Sequence, residues 1–117
     1  MSIAAPHATA FFDEIVAHDA VWAIRDEDGF PAPRSASGER AMPFWSLESR
    51  ARKIIDNVDA YKGFETFRLT LEEFEINWLE GMGKDGLLVG INWAGDRALG
   101  YDMTPGDVRA GIAARRD

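Results

Sequence analysis

Apolar residues recur every three or four positions in four stretches of this chain, which is the spacing of helices with one apolar side. These stretches are residues 8–18, 47–58, 71–82 and 105–115. Thr70 and Glu73 have the spacing of a capping box in front of the third stretch, which makes it the clearest of the four. Ser46 is a candidate N-cap for the second helix, and Thr104 followed by Pro105 marks the start of the fourth.

Five further segments alternate apolar and polar positions or are rich in β-formers, which predicts strands. They are residues 21–25, 42–45, 64–69, 87–93 and 99–103. Pro43 has no amide hydrogen, so the second strand is expected at a sheet edge. The fourth strand is expected to present one apolar face, made of Leu87, Val89, Ile91 and Trp93. Residues 94–97 then predict a hairpin loop before the fifth strand.

The resulting order is α-β-β-α-β-α-β-β-α, which predicts an α+β fold with a mainly antiparallel sheet and about four helices packed against it. A chain of 117 residues fits one domain, residues 1–117. Residues 26–40 are rich in glycine, proline and serine and form the longest loop-like segment. Because most connections in compact domains are shorter, we expect this loop to be functional or flexible.

The charge balance narrows the class of partner. Lysine and arginine total 13 against 20 acidic residues, which gives a net charge of −7. Nucleic acids and anionic membranes are therefore not expected as partners, because both bind through basic residues. The absence of cysteine excludes disulfides and thiolate chemistry. The first 20 residues lack a basic start, and no apolar run approaches the ~20 residues of a membrane span, so we expect a cytoplasmic protein.

Two motif matches fail on their context. Gly81, Gly83 and Gly86 have the G-x-G-x-x-G spacing of dinucleotide-binding loops, but here a helix precedes them and a strand follows, the reverse of that motif. They suit the end of a helix and a turn instead. Asp26 and Asp28 resemble the start of a calcium loop, but Phe30 stands where a third oxygen ligand is needed, so an acidic turn is the better interpretation.

Catalytic signatures are weak. His7 and His18 lie too far apart along a helix to share a metal ion, so no metal, no cofactor and no catalytic residue is predicted. A Ser-His-Asp arrangement stays open because its members meet only in space, and Ser35 and Ser37 are among the candidate hydroxyls. A small hydrolase or small-molecule-binding protein that uses His18 or paired carboxylates is therefore an alternative.

One basic cluster and two tryptophans stand out. Arg50, Arg52 and Lys53 could dock an anionic ligand or an acidic partner, or could form a solvated face that pairs with nearby acids. Trp22 lies beside the charged turn. Trp45 follows Pro43 at the exit of the long loop, where it is either an anchor for a partner or a cover for the core.

An ordered series of motifs resembles a bacterial family known as domain of unknown function 2750, across about residues 8–112. These motifs are Val21-Trp22-Ala23-Ile24, Asp26-Glu27-Asp28-Gly29-Phe30, Met42-Pro43-Phe44-Trp45-Ser46, Leu71-Glu72-Glu73-Phe74, Trp78-Leu79 and Asp85-Gly86. The resemblance implies no activity, cofactor or catalytic residue. The proline-aromatic-serine turn and the helix after it, with Glu48 and Ala51, are also similar to the enhanced-serine-sensitivity protein family, whose members resemble non-enzymatic α+β interaction modules.

The sequence therefore favours a small non-catalytic module that binds a protein partner, without nucleic acid or membrane. The expected binding surface consists of Trp22, Asp26, Asp28, Pro43, Trp45 and Arg50. On this hypothesis Trp45→Ala abolishes partner binding and leaves the thermal midpoint nearly unchanged. The alternative within the same class is an immunity-type protein whose acidic surface neutralises a basic toxin. An edge strand would allow a homodimer, although no feature demands one.

Overall fold

The computed structural model describes residues 5–34 and 38–116, with side chains from residue 8 onward. In these ranges the helices are α1 (Ala5–His18), α2 (Glu48–Asn57), α3 and α4 (Pro105–Arg116). Helix α3 begins as Leu71–Glu73, continues through a π-helical stretch Phe74–Leu79 and ends as Glu80–Asp85. The strands are β1 (Val21–Arg25), β2 (Ala41–Phe44), β3 (Glu65–Leu69), β4 (Leu88–Ala94) and β5 (Leu99–Met103), with one 3-10 turn at Asp59–Tyr61. The predicted α+β fold and element order are confirmed.

Side-chain caps explain where two of the helices begin. At α3 the Thr70 hydroxyl accepts from the Glu73 amide at 3.1 Å, and the Glu73 carboxylate accepts from the Thr70 amide at 2.8 Å, so the predicted capping box is present. Thr104 accepts from the Asp107 amide at 3.1 Å in front of α4. The expectation for Ser46 was wrong: Leu47 is the N-cap of α2 and makes no side-chain cap bond.

The glycine-rich end of α3 is a helix terminus, as the sequence indicated. The helix runs to Asp85, and Gly86 follows in the left-handed region with φ of 70°. The amide of Gly86 donates to the Gly83 carbonyl and that of Leu87 to the Met82 carbonyl, which satisfies the last turn.

The strands form two sheets that share one contact. Strands β1 and β3 pair antiparallel, while β2 pairs parallel with β4 and β4 pairs antiparallel with β5. Just beyond β2, the backbones of Trp22 and Trp45 exchange hydrogen bonds of 2.7 and 2.8 Å, which links β1 to the three-stranded sheet. Strand β2 is one of the two outer strands of that three-stranded sheet, which agrees with the position expected from Pro43.

The strands separate two hydrophobic cores. The first core holds aromatic residues from α1, β2 and α3, among them Phe11, Phe44 and Phe74, together with Val89 and Ile91 of β4. The second core lies against α2 and is made mainly of Ile24, Ala41, Trp45, Ala51, Ile54, Ile55, Val58, Tyr61, Trp93 and Ala98. Because one core packs on each face of β4, this strand is buried from Val89 to Trp93.

A bulge in β4 overturns one expectation from the alternation pattern. Asn92 has a positive φ of 47°, and the pairing register with β5 shifts between Ile91 and Ala94. The extra residue rotates the strand, so that Trp93 joins the second core while Val89 and Ile91 face the first. The predicted single apolar face therefore breaks at this residue.

Among the residues described, no helix is both long and apolar enough to span a membrane.

Candidate functional site

A polar network joins α1, the start of α2 and the bulge of β4. The Ser46 hydroxyl donates to the Glu14 carboxylate at 2.5 Å, and the Ser46 amide donates to the Asn92 side-chain oxygen at 2.9 Å. The Asn92 amide group donates back to the Ser46 hydroxyl at 3.0 Å. Arg50 completes the network, because its guanidinium lies 3.2 Å from the Glu14 carboxylate. Ser46 and Asn92 are buried, so these bonds supply the partners that buried polar groups require.

The network changes the acidity of Glu14. Partial burial raises the pKa of this carboxyl, but the hydrogen bonds from Ser46 and Arg50 and the charges of Arg50 and His18 outweigh it, so the pKa lies below its ordinary value of 4.5. A carboxylate with a lowered pKa stabilises the folded state above its unfolded pKa, and that contribution disappears as the pH falls through the folded value.

We therefore expect Glu14→Gln to flatten the acid side of the stability profile. At pH 7 the variant loses about 1–2 kcal/mol, because a charged acceptor of two hydrogen bonds becomes a neutral amide. Below pH 4.5 the difference between the two proteins shrinks, since the wild-type carboxylate itself becomes protonated. Urea unfolding at pH 7 and pH 3 measures both values. If Glu14→Gln lowers the free energy of unfolding equally at pH 7 and pH 3, Glu14 contributes through packing rather than charge.

A cavity lies next to this network, between α2 and the turn that joins β4 to β5. Its volume is about 440 Å³. Four side chains of α2 line it (Arg50, Lys53, Ile54 and Asn57), together with residues 92–96. The spacing of the α2 residues places them on one side of the helix. A cavity of this size and mixed polarity suits a small ligand.

A second, smaller cavity of about 210 Å³ lies on the other side of the β4–β5 hairpin. It is lined in part by Tyr61, Trp93 and Asp102. The Trp93 indole donates to the Asp102 carboxylate at 2.9 Å. Burial raises the pKa of Tyr61; burial and the charge of Glu39 also raise the pKa of Asp102, although the bond from Trp93 opposes them. Trp93 thus lines both cavities.

Two of the six residues expected at a binding surface belong to the interior. Trp45 is fully buried, and its indole donates to the Trp93 carbonyl at 2.8 Å. Pro43 is buried in β2, where it pairs with Gly90 of β4. Of the two alternatives for Trp45, the structure supports the core residue, because the second core and α2 cover its ring. Both residues are therefore buried in the folded protein rather than exposed on its surface.

The remaining four residues lie in three separate places. Arg50 belongs to the cavity beside α2. Trp22 is half-buried and packs against the second core. Asp26 and Asp28 belong to a turn after β1, in which the backbones of Asp26 and Gly29 exchange hydrogen bonds of 3.0 and 3.1 Å. This is the acidic turn that the sequence indicated in place of a calcium loop.

The acidic turn forms one side of a wide depression of about 830 Å³. Residues 25–30 line it together with Lys62, Gly63 and Glu65. Both cations at its margin are already engaged: Arg25 lies 2.9 Å from Glu65, and Lys62 lies 3.1 Å from Asp59. Asp26, Glu27 and Asp28 have no cationic partner among the residues described, so the depression is acidic.

Among the described residues, no hydrogen bond joins His18 to a serine hydroxyl. His18 is exposed at the end of α1, and Ser46 is buried in the polar network. Ser35 and Ser37 lie outside the described residues, as does the side chain of His7. Within the described ranges no group of three His, Cys, Asp or Glu side chains is arranged to hold a metal ion.

The residues that sequence reasoning missed are Glu14, Asn92 and Asp96. Glu14 lies on a helix that the sequence predicts from its apolar positions alone. Asp96 lies in a loop, where an acidic residue is ordinary. Asn92 offered one usable signal, because asparagine tolerates the left-handed backbone that a bulge can require.

The described residues form a single α+β domain. Comparison with known protein families identifies the family of the chain. A family model described as "Protein of unknown function (DUF2750)" matches residues 8–112, nearly the whole chain. The chain therefore belongs to this family, and the resemblance in its ordered motifs is confirmed. No curated protein matches the chain, and no solved structure matches it.

Proposed function

We propose that this protein is a non-catalytic interaction module that binds a basic segment of a partner protein in the acidic depression beside β1. The charge imbalance there is the observation that supports the proposal. The two cations at the margin have their own carboxylate partners, whereas Asp26, Glu27 and Asp28 have none among the described residues. A partner that brings lysine or arginine would supply the missing charge.

The turn is built to hold these carboxylates in place. Asp26 accepts a hydrogen bond from the Asp28 amide at 2.9 Å, and Gly29 closes the turn with a φ of 110°. Glu27 and Asp28 are exposed at the tip, so a partner can reach them without rearrangement. A preformed site loses less conformational entropy on binding than a flexible one.

Apolar contact is available beneath the acids. Phe30 lines the depression and packs edge-to-face against Phe67 and Trp78, with ring centroids 5.6 and 4.6 Å apart. A rigid aromatic group beside carboxylates suits a lysine or arginine side chain, which has an apolar stem and a charged end. The net charge of −7 also favours encounter with a basic partner.

A pair of charge reversals tests the proposal. We expect Glu27→Lys/Asp28→Lys to reduce capture of the partner from a lysate of the source organism by roughly tenfold or more, because two attractive charges become repulsive. The matched control is Asp56→Lys/Asp85→Lys, which changes net charge by the same amount at exposed helix positions outside the depression. Thermal unfolding shows that both variants fold.

Capture is read by mass spectrometry at low and raised salt. A protein bound by wild type and by the control, and lost from the turn variant, supports the proposal. If the control loses the protein equally, only net charge matters and the depression is not the site. If wild type captures no protein above background, the function is not protein binding.

A further inference from the structure

We propose that the 440 Å³ cavity between α2 and the β4–β5 turn binds a small zwitterion with an apolar side chain, the chemistry of a free apolar α-amino acid. This ligand goes beyond the proposed protein partner and uses a different surface. The inference follows from three features of the cavity, which are a cationic wall, an acidic wall and an apolar floor.

The cationic wall is formed by α2. Arg50 uses one terminal nitrogen on Glu14, while its side chain stays 42% exposed and its other terminal nitrogen makes no hydrogen bond with any described residue. Lys53, one turn further along the same side of α2, makes no ion pair with any described residue. Donors without acceptors at the wall of a cavity favour an anionic group such as a carboxylate.

The acidic wall is the turn opposite. Asp96 lines the cavity from the turn after β4, where Gly95 has a φ of 84° and fixes the reversal of the chain. Asp96 and Lys53 border the same space but do not form an ion pair with each other. Because opposite charges attract, a ligand that carries both charges would pair its carboxylate with Lys53 and its ammonium with Asp96.

The floor between the two walls is apolar and firmly held. Ile54 and Trp93 form part of it. Trp93 is fixed at both ends: its indole donates to Asp102 at 2.9 Å, and its carbonyl accepts from the Trp45 indole at 2.8 Å. An aliphatic or aromatic side chain lying on this floor would bury apolar surface, which adds to the affinity from the charges.

The net charge of the protein distinguishes a zwitterion from a simple anion. A chain of charge −7 repels an anion at long range, and Glu14 already neutralises Arg50 within the network. A zwitterion has no net charge and meets no such repulsion. Its ammonium group also pairs with the Asp96 carboxylate. A simple anion would instead place a second negative charge beside Asp96.

Isothermal titration calorimetry with matched probes tests the inference. The probes are leucine, phenylalanine, valine and methionine, and for leucine also 4-methylpentanoate and 3-methylbutylamine, which lack the ammonium and the carboxylate respectively. We expect at least one of the amino acids to bind, and its binding to weaken about tenfold or more in Lys53→Met and in Asp96→Asn. The controls Lys84→Met and Asp85→Asn change exposed residues outside the cavity and leave the affinity unchanged.

Each result decides between alternatives. Binding of 4-methylpentanoate as tight as that of leucine would overturn the role of Asp96, and equally tight binding of the amine would overturn that of Lys53. No heat change with any of the four amino acids overturns the inference. Glu27→Lys/Asp28→Lys should bind the amino acid as wild type does, so this experiment and the capture experiment can fail independently.

Discussion

Replacement of Trp45 by alanine is expected to destabilise the protein by about 3–5 kcal/mol, the range for removing a large aromatic side chain from a core. Trp45 is fully buried in the second core, and the variant leaves a cavity beneath α2 that the fixed strands cannot fill. It also removes the donor to the Trp93 carbonyl. Chemical unfolding followed by far-UV circular dichroism measures the loss.

Two further variants show how much of this loss of stability comes from the hydrogen bond and how much from packing. Trp45→Phe keeps a six-membered ring but loses the five-membered ring with its N–H, so it should cost less than Trp45→Ala while still leaving the Trp93 carbonyl without its donor, which alone costs about 1–3 kcal/mol. Trp22→Ala removes a half-buried tryptophan and should cost less than Trp45→Ala. A loss below that of Trp22→Ala would contradict the core position of Trp45. The sequence-based expectation of an unchanged thermal midpoint is therefore reversed.

The second large effect is expected at Gly100, where β5 passes under the Trp93 ring. A Cβ at this position would lie 2.6 Å from Trp93 Cδ1 and 2.9 Å from the Ile91 carbonyl oxygen. The side chain is held by Asp102 and the carbonyl belongs to the backbone, so neither moves easily. We expect Gly100→Ala to destabilise the protein by about 1–3 kcal/mol through overpacking.

Two other glycines are the controls for this prediction. At Gly90 the three atoms nearest to an added Cβ are all ring atoms of Trp93, at 2.5–2.7 Å, so Gly90→Ala tests mainly the displacement of the ring. Gly83 lies in α3 with nothing within 4 Å, and Gly83→Ala should stabilise the protein by about 0.5–1 kcal/mol. Denaturant midpoints rank the three variants. Equal stability of Gly100→Ala and wild type would show that the ring shifts freely.

Local patterns predicted the elements well because their causes are local. The capping box of Thr70 and Glu73 and the terminal glycine at Gly86 act over three or four residues, so both ends of α3 could be foreseen. The π-helical stretch inside α3 was not foreseen. Trp93 was misplaced because strict alternation assumes a regular strand, and the bulge at Asn92 depends on how β4 pairs with a strand outside the local window.

The candidate site was harder to predict because it is assembled from distant segments. Glu14, Ser46 and Asn92 meet only through tertiary packing, and each has an ordinary role when viewed alone. Trp45 illustrates a choice that the sequence left open: its position after a loop suited either an exposed anchor or a core residue, and only the pairing with Trp22 in the folded protein shows which it is. The acidic turn was predicted correctly because its geometry lies within four consecutive residues.

The parallel pairing of β2 with β4 has a consequence for the order in which the chain folds during synthesis. Strands β1 and β3 can pair once the ribosome has released Leu69, but Phe44 of β2 must wait for Ile91 before it gains its partner. Until β4 is available, the apolar side chains of β2 lack the core residues that β4 supplies. Domains whose central contacts join distant segments fold slowly, so this protein is most exposed to aggregation and to chaperones until β4 has been synthesised and has paired with β2.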